Sequence, residues 1–180
     1  MEFQGQWYVF YHRSTHHSRM MRKACMEPIF FNDDGSIDQV EMTSQGAGPP
    51  LDALERIPAE RACILHGQLY IQACGEKNEE LAGIQGQDKA VFKYLDFGEG
   101  VEKVRIRVKP GESGGGITFR ADYPWGKRLG HVFVPAAADL PANWMDLEAE
   151  LFGLEGVHAL WLVFDGEGEK LFSLDEFEFY

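Results

Sequence analysis

The chain has 180 residues, 17 basic and 29 acidic, for a formal net charge of −12. That balance lacks the basic footprint nucleic acid or an anionic membrane surface requires, and no apolar run reaches the ~18 residues of a spanning helix. With 44% hydrophobic and 13% aromatic residues, the chain carries the material for a folded core.

In chain order, the first strand signal is Trp7–Tyr11. It runs into a basic stretch holding His12, Arg13, His16, His17, Arg19, Arg22 and Lys23, with no acid among them. The histidines read either as metal ligands or as part of a solvated loop. Ile37–Met42 is expected to pair with Trp7–Tyr11 as an added strand. Gln45–Pro50 is a Gly/Pro linker. Residues 1–46 carry four basic and six acidic groups, net −2, leaving −10 for the remainder. Leu51–Arg56 predicts a turn or two of helix.

Beyond it, short strands follow at sandwich spacing: Leu69–Ala73, Ala90–Leu95, Val101–Lys109, Gly116–Arg120, His131–Pro135, His158–Phe164 and Leu171–Tyr180. Val104, Ile106 and Val108 alternate with charges, as in a strand with one wet face. Met145–Leu151 reads as a strand, because Leu147, Ala149 and Leu151 alternate with acids. Trp161 lies in a continuous apolar run and is assigned to the core. Pro110-Gly111, Gly114-Gly115-Gly116, Tyr123-Pro124-Trp125-Gly126 and Asp165–Gly168 supply turns. The expected class is all-β, an antiparallel β-sandwich or jelly roll.

Two resemblances sharpen this reading. Gly5–Ser14, Ser18-Arg19, Met26–Ile29, Asp34–Ile37 and Val40–Gly46 together resemble the end of a glycoside hydrolase family 43 propeller. After the linker, Ile57–Glu60, Tyr94–Gly98, Gly116–Arg120, Leu129-Gly130, Gly156–Phe164 and Phe172–Phe177 are similar to a family 6 carbohydrate-binding module. The resemblance implies a galactose-binding-like jelly roll over 57–180, a linker over 47–56, and a hairpin-like propeller remnant over 1–46. Family 43 enzymes act on arabinose- and xylose-containing glycans. Their catalytic carboxylates, an acid paired with a base or nucleophile, belong to earlier blades, so the isolated chain is not expected to be an enzyme. His12 matches a histidine that the family places near a metal at the propeller axis.

Sugar recognition needs an aromatic face for the pyranose CH groups and polar side chains for its hydroxyls. The candidates are Tyr123, Trp125, Trp144 and Ser173. Tyr123 and Trp125 sit on a turn, where their apolar surface reads either as a sugar platform or interface contact, or as rings folded back over their own sheet edge. Ser173 stands at the family's asparagine position. The alignment places Trp144 on the family's core tryptophan and Pro141 at its ligand-stacking one. The loop Ala82–Gln87 lacks the family's tyrosine, so the usual cleft is altered. The resemblance also implies a structural calcium at Glu60 and Asp175, with hard oxygen donors completed by backbone carbonyls. Pro58 replaces a further acid.

The leading functional reading is a noncatalytic module binding xylan- or arabinan-type polysaccharide or oligosaccharide. The alternative is an interaction subunit, dimerising or completing a separately encoded glycosidase domain through Trp7–Tyr11. Cys25, Cys63 and Cys74 are an odd count without CxxC spacing, as expected of reduced thiols. The start of the chain lacks a signal-peptide pattern. A cytoplasmic location is expected, with an extracellular one the alternative for an excised piece.

Overall fold

The structure is a computed structural model that describes residues 1–137 and 143–180. Its strands are β1 (Glu2–Phe3), β2 (Gln6–Ser14), β3 (Arg22–Ile29), β4 (Leu51–Asp52), β5 (Ile57–Pro58), β6 (Ile64–His66), β7 (Tyr70–Ala73) and β8 (Glu79–Ala82). They continue as β9 (Lys89–Asp96), β10 (Val101–Pro110), β11 (Gly115–Ala121), β12 (Arg128–Val134), β13 (Met145–Leu154), β14 (Val157–Asp165) and β15 (Phe172–Phe179). One 3-10 turn, Ala59–Arg61, follows β5.

Two sheets form the antiparallel β-sandwich jelly roll. One runs β13-β10-β15-β8-β7, with β5 on β15; the other runs β12-β11-β14-β9-β4, with β6 on β9. β10 alternates as its sequence predicts. Val104, Ile106 and Val108 are buried, while Arg105 and Arg107 face outward and pair with Glu148, Glu178, Asp146 and Asp175. Edge-to-face phenylalanines fill the core: Phe92 meets Phe177 with centroids 4.9 Å apart, and Phe97 meets Phe179 at 5.2 Å. Each such ring contributes about 1.5–3 kcal/mol by leaving water.

Three expectations are corrected. Leu51–Arg56 forms no helix: Leu51 and Asp52 add a parallel strand to β9, and Ala53 is buried in the core. Such short apolar stretches take the conformation that completes a neighbouring sheet. Ile37–Met42 does not pair with Trp7–Tyr11. β2 lies between β1 and β3, and Ile37 bridges Phe31 instead. Trp161 is not core; it is half-buried on the outer face of β14, because Leu160 and Leu162 take the inward positions.

The β1-β2-β3 sheet rests on the jelly roll through polar ties. Arg13 donates to Ser44 Oγ at 2.7 Å and to the Cys63 carbonyl. The Lys93 amide donates to Gln45 Oε1 at 2.8 Å, and Lys93 Nζ and Tyr94 Oη both reach Glu41. Buried Glu27 gathers the returning chain. It accepts from Tyr11 Oη, the Thr43 amide and hydroxyl, and the Ser44 amide, all at 2.9 Å. Trp7 and Phe10 remain exposed, at 43% and 57%.

Candidate functional site

The sequence-derived sugar residues fall at opposite ends of the sandwich. Ser173, the second residue of β15, lies opposite Lys109, and Trp144 immediately precedes Met145, which pairs with Val108. These two share one end. Tyr123 and Trp125 cap the far end of the seven-residue β11, roughly 24 Å away at ~3.4 Å per strand residue. The four residues therefore do not build one cleft. Pro141 lies outside the described residues.

At the Ser173 end the polar groups turn inward. Ser173 Oγ donates to Oε1 of the buried Glu80 at 3.1 Å, and Gln72 Nε2 donates to the same oxygen. Trp144 is half-buried. Gly83 has a φ of +64°, and a Cβ there would lie 2.5 Å from Cε1 of Tyr70. The Tyr70 ring thus closes over the backbone at 83, and only glycine fits beneath it.

The other end is open. The Tyr123 and Trp125 rings lie nearly parallel, 10° apart with centroids at 5.7 Å, and are 58% and 78% exposed. The turn beneath them is firmly held. The Asp122 carboxylate contacts His158 Nδ1 at 3.1 Å, and the Asp122 carbonyl accepts from Trp161 Nε1 at 2.8 Å. Arg120 donates to the Gly126 carbonyl at 2.9 Å. Sequence reasoning missed Trp161, which connects this tip to the outer face of the β12-β11-β14-β9-β4 sheet. Its ring stacks on His66 at 6.3 Å and 13°. Arg120 lies beside it, and further along the same face come Thr118, His131 and Asp165, the last two 3.2 Å apart. The face joins aromatic surface to directional hydrogen-bonding groups, the combination a sugar ring selects.

Glu60 and Asp175 are brought to neighbouring positions, since β5 pairs with β15 just before Glu60. Glu60 Oε2 is buried without a hydrogen-bond partner. Burial pushes this carboxyl above its ordinary range, and the charges of Glu79 and Asp175 add to the shift. Asp175 is already engaged: Asn78 Nδ2 donates at 2.8 Å and Arg107 Nε lies at 3.3 Å. Among the described residues no cluster of three or more His, Cys, Asp or Glu takes metal-holding positions. The orphaned oxygen fits a hard cation, which backbone carbonyls would help to hold.

The cysteines are free. Cys63 is buried, and burial pushes its thiol up to about 11, so it is not a nucleophile at neutral pH.

The closed sandwich with an exposed aromatic face defines a sugar-binding β-jelly roll. More particularly, the chain belongs to carbohydrate-binding module family 6, whose model matches residues 59–180. It is similar to a xylosidase/arabinosidase from Thermoclostridium stercorarium, 32% identical over 97% of this chain and 41% of that protein. It also resembles the solved family 43 arabinoxylan arabinofuranohydrolase from Bacillus subtilis, in complex with cellotetraose. The TM-score is 0.72 at 29% identity, over 99% of this chain and 39% of that one. A family 6 module from Clostridium cellulolyticum, solved with xylose, superposes with a TM-score of 0.64 at 30% identity, over 72% of this chain and 98% of that one. The match to the family 43 relatives falls on their C-terminal part. The chain spans about two fifths of their length. Residues 59–180 are thus a carbohydrate-binding module, and the chain is similar to the C-terminal region of those relatives.

Proposed function

We propose that the module binds xylan- or arabinan-type glycans on the face formed by Tyr123, Trp125 and Trp161. The carrying observation is the exposed parallel ring pair on a turn whose Asp122 carbonyl accepts a hydrogen bond from Trp161 Nε1 of the adjoining sheet face. The relatives' names, a xylosidase/arabinosidase and an arabinoxylan arabinofuranohydrolase, supply the glycan class. The module would hold an attached enzyme near its polymer by raising effective concentration. Affinity electrophoresis in gels containing arabinoxylan, arabinan or no polysaccharide tests this. Retardation that Trp125→Ala and Trp161→Ala each weaken supports it; migration alike in all gels by folded protein overturns it.

Calcium is part of the same proposal. Glu60 and Asp175 would hold it, and its role would be to pin the first and last strands. A calcium-dependent rise in unfolding temperature that Glu60→Gln abolishes is the expected result.

A second reading rests on the exposed Trp7 and Phe10. The sheet face that carries Phe10 would dock on a further propeller blade, in the same polypeptide or a separate one, or on a second copy of this chain; Trp7, three residues away along β2, lies on the opposite face. Sedimentation of the chain alone decides the last possibility: a dimer that Phe10→Ser dissociates supports it.

A further inference from the structure

A cavity of about 510 Å³ lies where the β2–β3 hairpin meets the jelly roll, between Arg13, His17, Arg19 and Lys23 on one side and Leu69 and Tyr70 on the other. The chain as a whole is strongly acidic, at −12, yet this wall is cationic. Arg13 and Lys23 stand directly opposite each other across the hairpin, a like-charge pairing that destabilises a strand pair unless an anion relieves it. Among the described residues, none of Arg13, Arg19 and Lys23 forms an ion pair with a carboxylate. Of the neighbouring acids, Glu79 meets His16, and the half-buried Glu60 has its charge favoured by Lys23.

The hairpin tip is held in an unfavourable shape. His16 and His17 both have positive φ, 56° and 49°, and the Ser18 amide closes the turn on the Thr15 carbonyl at 3.1 Å. Tight turns with two left-handed central residues ordinarily use Asn-Gly; side chains that bear the strain instead point to a role for themselves. His16 Nδ1 is buried with no partner. The His17 ring stands edge-on to Tyr70 at 5.7 Å, so an aromatic surface borders the cations.

We infer that this cavity binds a carboxylate-bearing sugar unit, a uronic acid substituent of a glycan, with Lys23, Arg19 and Arg13 taking the carboxylate and Tyr70 and His17 flanking the ring. The inference rests on the carbohydrate-binding reading above and adds a second, charge-selective site to it. Lysine and arginine recognise carboxylate by charge-assisted hydrogen bonds, and the Ser14, Thr15 and Ser18 side chains in the same wall suit hydroxyls.

Isothermal titration of the intact chain tests it with a neutral xylo-oligosaccharide, the same oligosaccharide bearing one glucuronic acid branch, free glucuronate and inorganic phosphate. The acidic oligosaccharide is expected to bind about fivefold tighter than the neutral one at low salt, the size of one exposed charge pair. Lys23→Gln and Arg19→Gln, each at an accessible position, should reduce that preference and leave the neutral affinity unchanged. About 0.3 M sodium chloride should reduce it as well. Equal binding of the two oligosaccharides, or a preference that survives both substitutions together, overturns the site while leaving the module's glycan binding intact. Phosphate binding as tightly as the acidic oligosaccharide overturns the sugar assignment. Failure of both oligosaccharides to bind overturns the xylan-type glycan reading on which the site rests.

Discussion

The jelly roll and the amino-terminal sheet are made of the same kind of strand, yet they treat their aromatic residues in opposite ways. In the jelly roll, Phe92, Phe119, Phe164 and Phe177 are wholly buried between two sheets. In the amino-terminal sheet, Trp7 and Phe10 stand in water, and one buried carboxylate, Glu27, organises the returning chain. A single three-stranded sheet has no second layer to cover its apolar face. It is attached by hydrogen bonds and ion pairs, which contribute little net stability at a surface. The sandwich can therefore be stable by itself, whereas the sheet depends on whatever covers it.

The largest expected contrast is in core truncation. Phe177→Ala should cost about 3–5 kcal/mol in chemical denaturation, whereas Phe10→Ala should stay within about 0.5 kcal/mol. A large effect at Phe10 would mean that its face is covered in solution, and would break the contrast.

Next is Glu27. Replacing it with Gln leaves buried donors short of an acceptor, at about 1–3 kcal/mol. Hydrogen exchange should quicken at the Thr43 and Ser44 amides with no change in the sandwich strands. Loss of protection throughout would join the two regions into one cooperative unit.

Sugar affinity sharpens the comparison from the other side. Trp125→Ala should weaken glycan binding about tenfold, the upper range of a single aromatic contact, while Trp7→Ala leaves it unchanged. Titration calorimetry against arabinoxylan fragments reads both.

Two carboxylates then titrate in opposite senses. Glu60 sits above its ordinary range because of burial. Its penalty is absent in acid and grows as pH rises from the ordinary value through the shifted one. In a calcium chelator, Glu60→Gln should therefore raise the unfolding temperature at pH 7 and leave it unchanged at pH 4. Glu41 is held below its ordinary range by hydrogen bonds from Lys93 and then Tyr94. It stabilises the attachment of the amino-terminal segment above the ordinary value, and that support is lost as pH falls through the lowered one. Because Glu41 is about half exposed, Glu41→Gln should change stability by less than about 1 kcal/mol. Acid should thus loosen the amino-terminal segment before the sandwich, as faster exchange at the Lys93 amide would report.

The sequence by itself determined the all-β class, the alternation of β10, the strand at Met145–Leu151 and the turn that carries Tyr123 and Trp125. Each is a local property: strict alternation marks a half-wet strand, and Pro-Trp-Gly marks a turn, whereas the exposure of its two rings came from the structure. The residues shared with family 6 modules carried the jelly roll. Tertiary structure alone decided the rest. An apolar run such as His158–Phe164 does not say which residues face the core, and only the two sheets packed against each other turned Trp161 outward beside His66. The length of β11 placed Tyr123 and Trp125 at the end away from Ser173 and Trp144, dividing what the sequence had grouped. Tyr70 came to cover Gly83 from a neighbouring strand, and Arg13 came to face Lys23 across a hairpin. Strand periodicity is written along the chain, but contacts between strands are set by pairing and packing, and the candidate sites are made of those contacts.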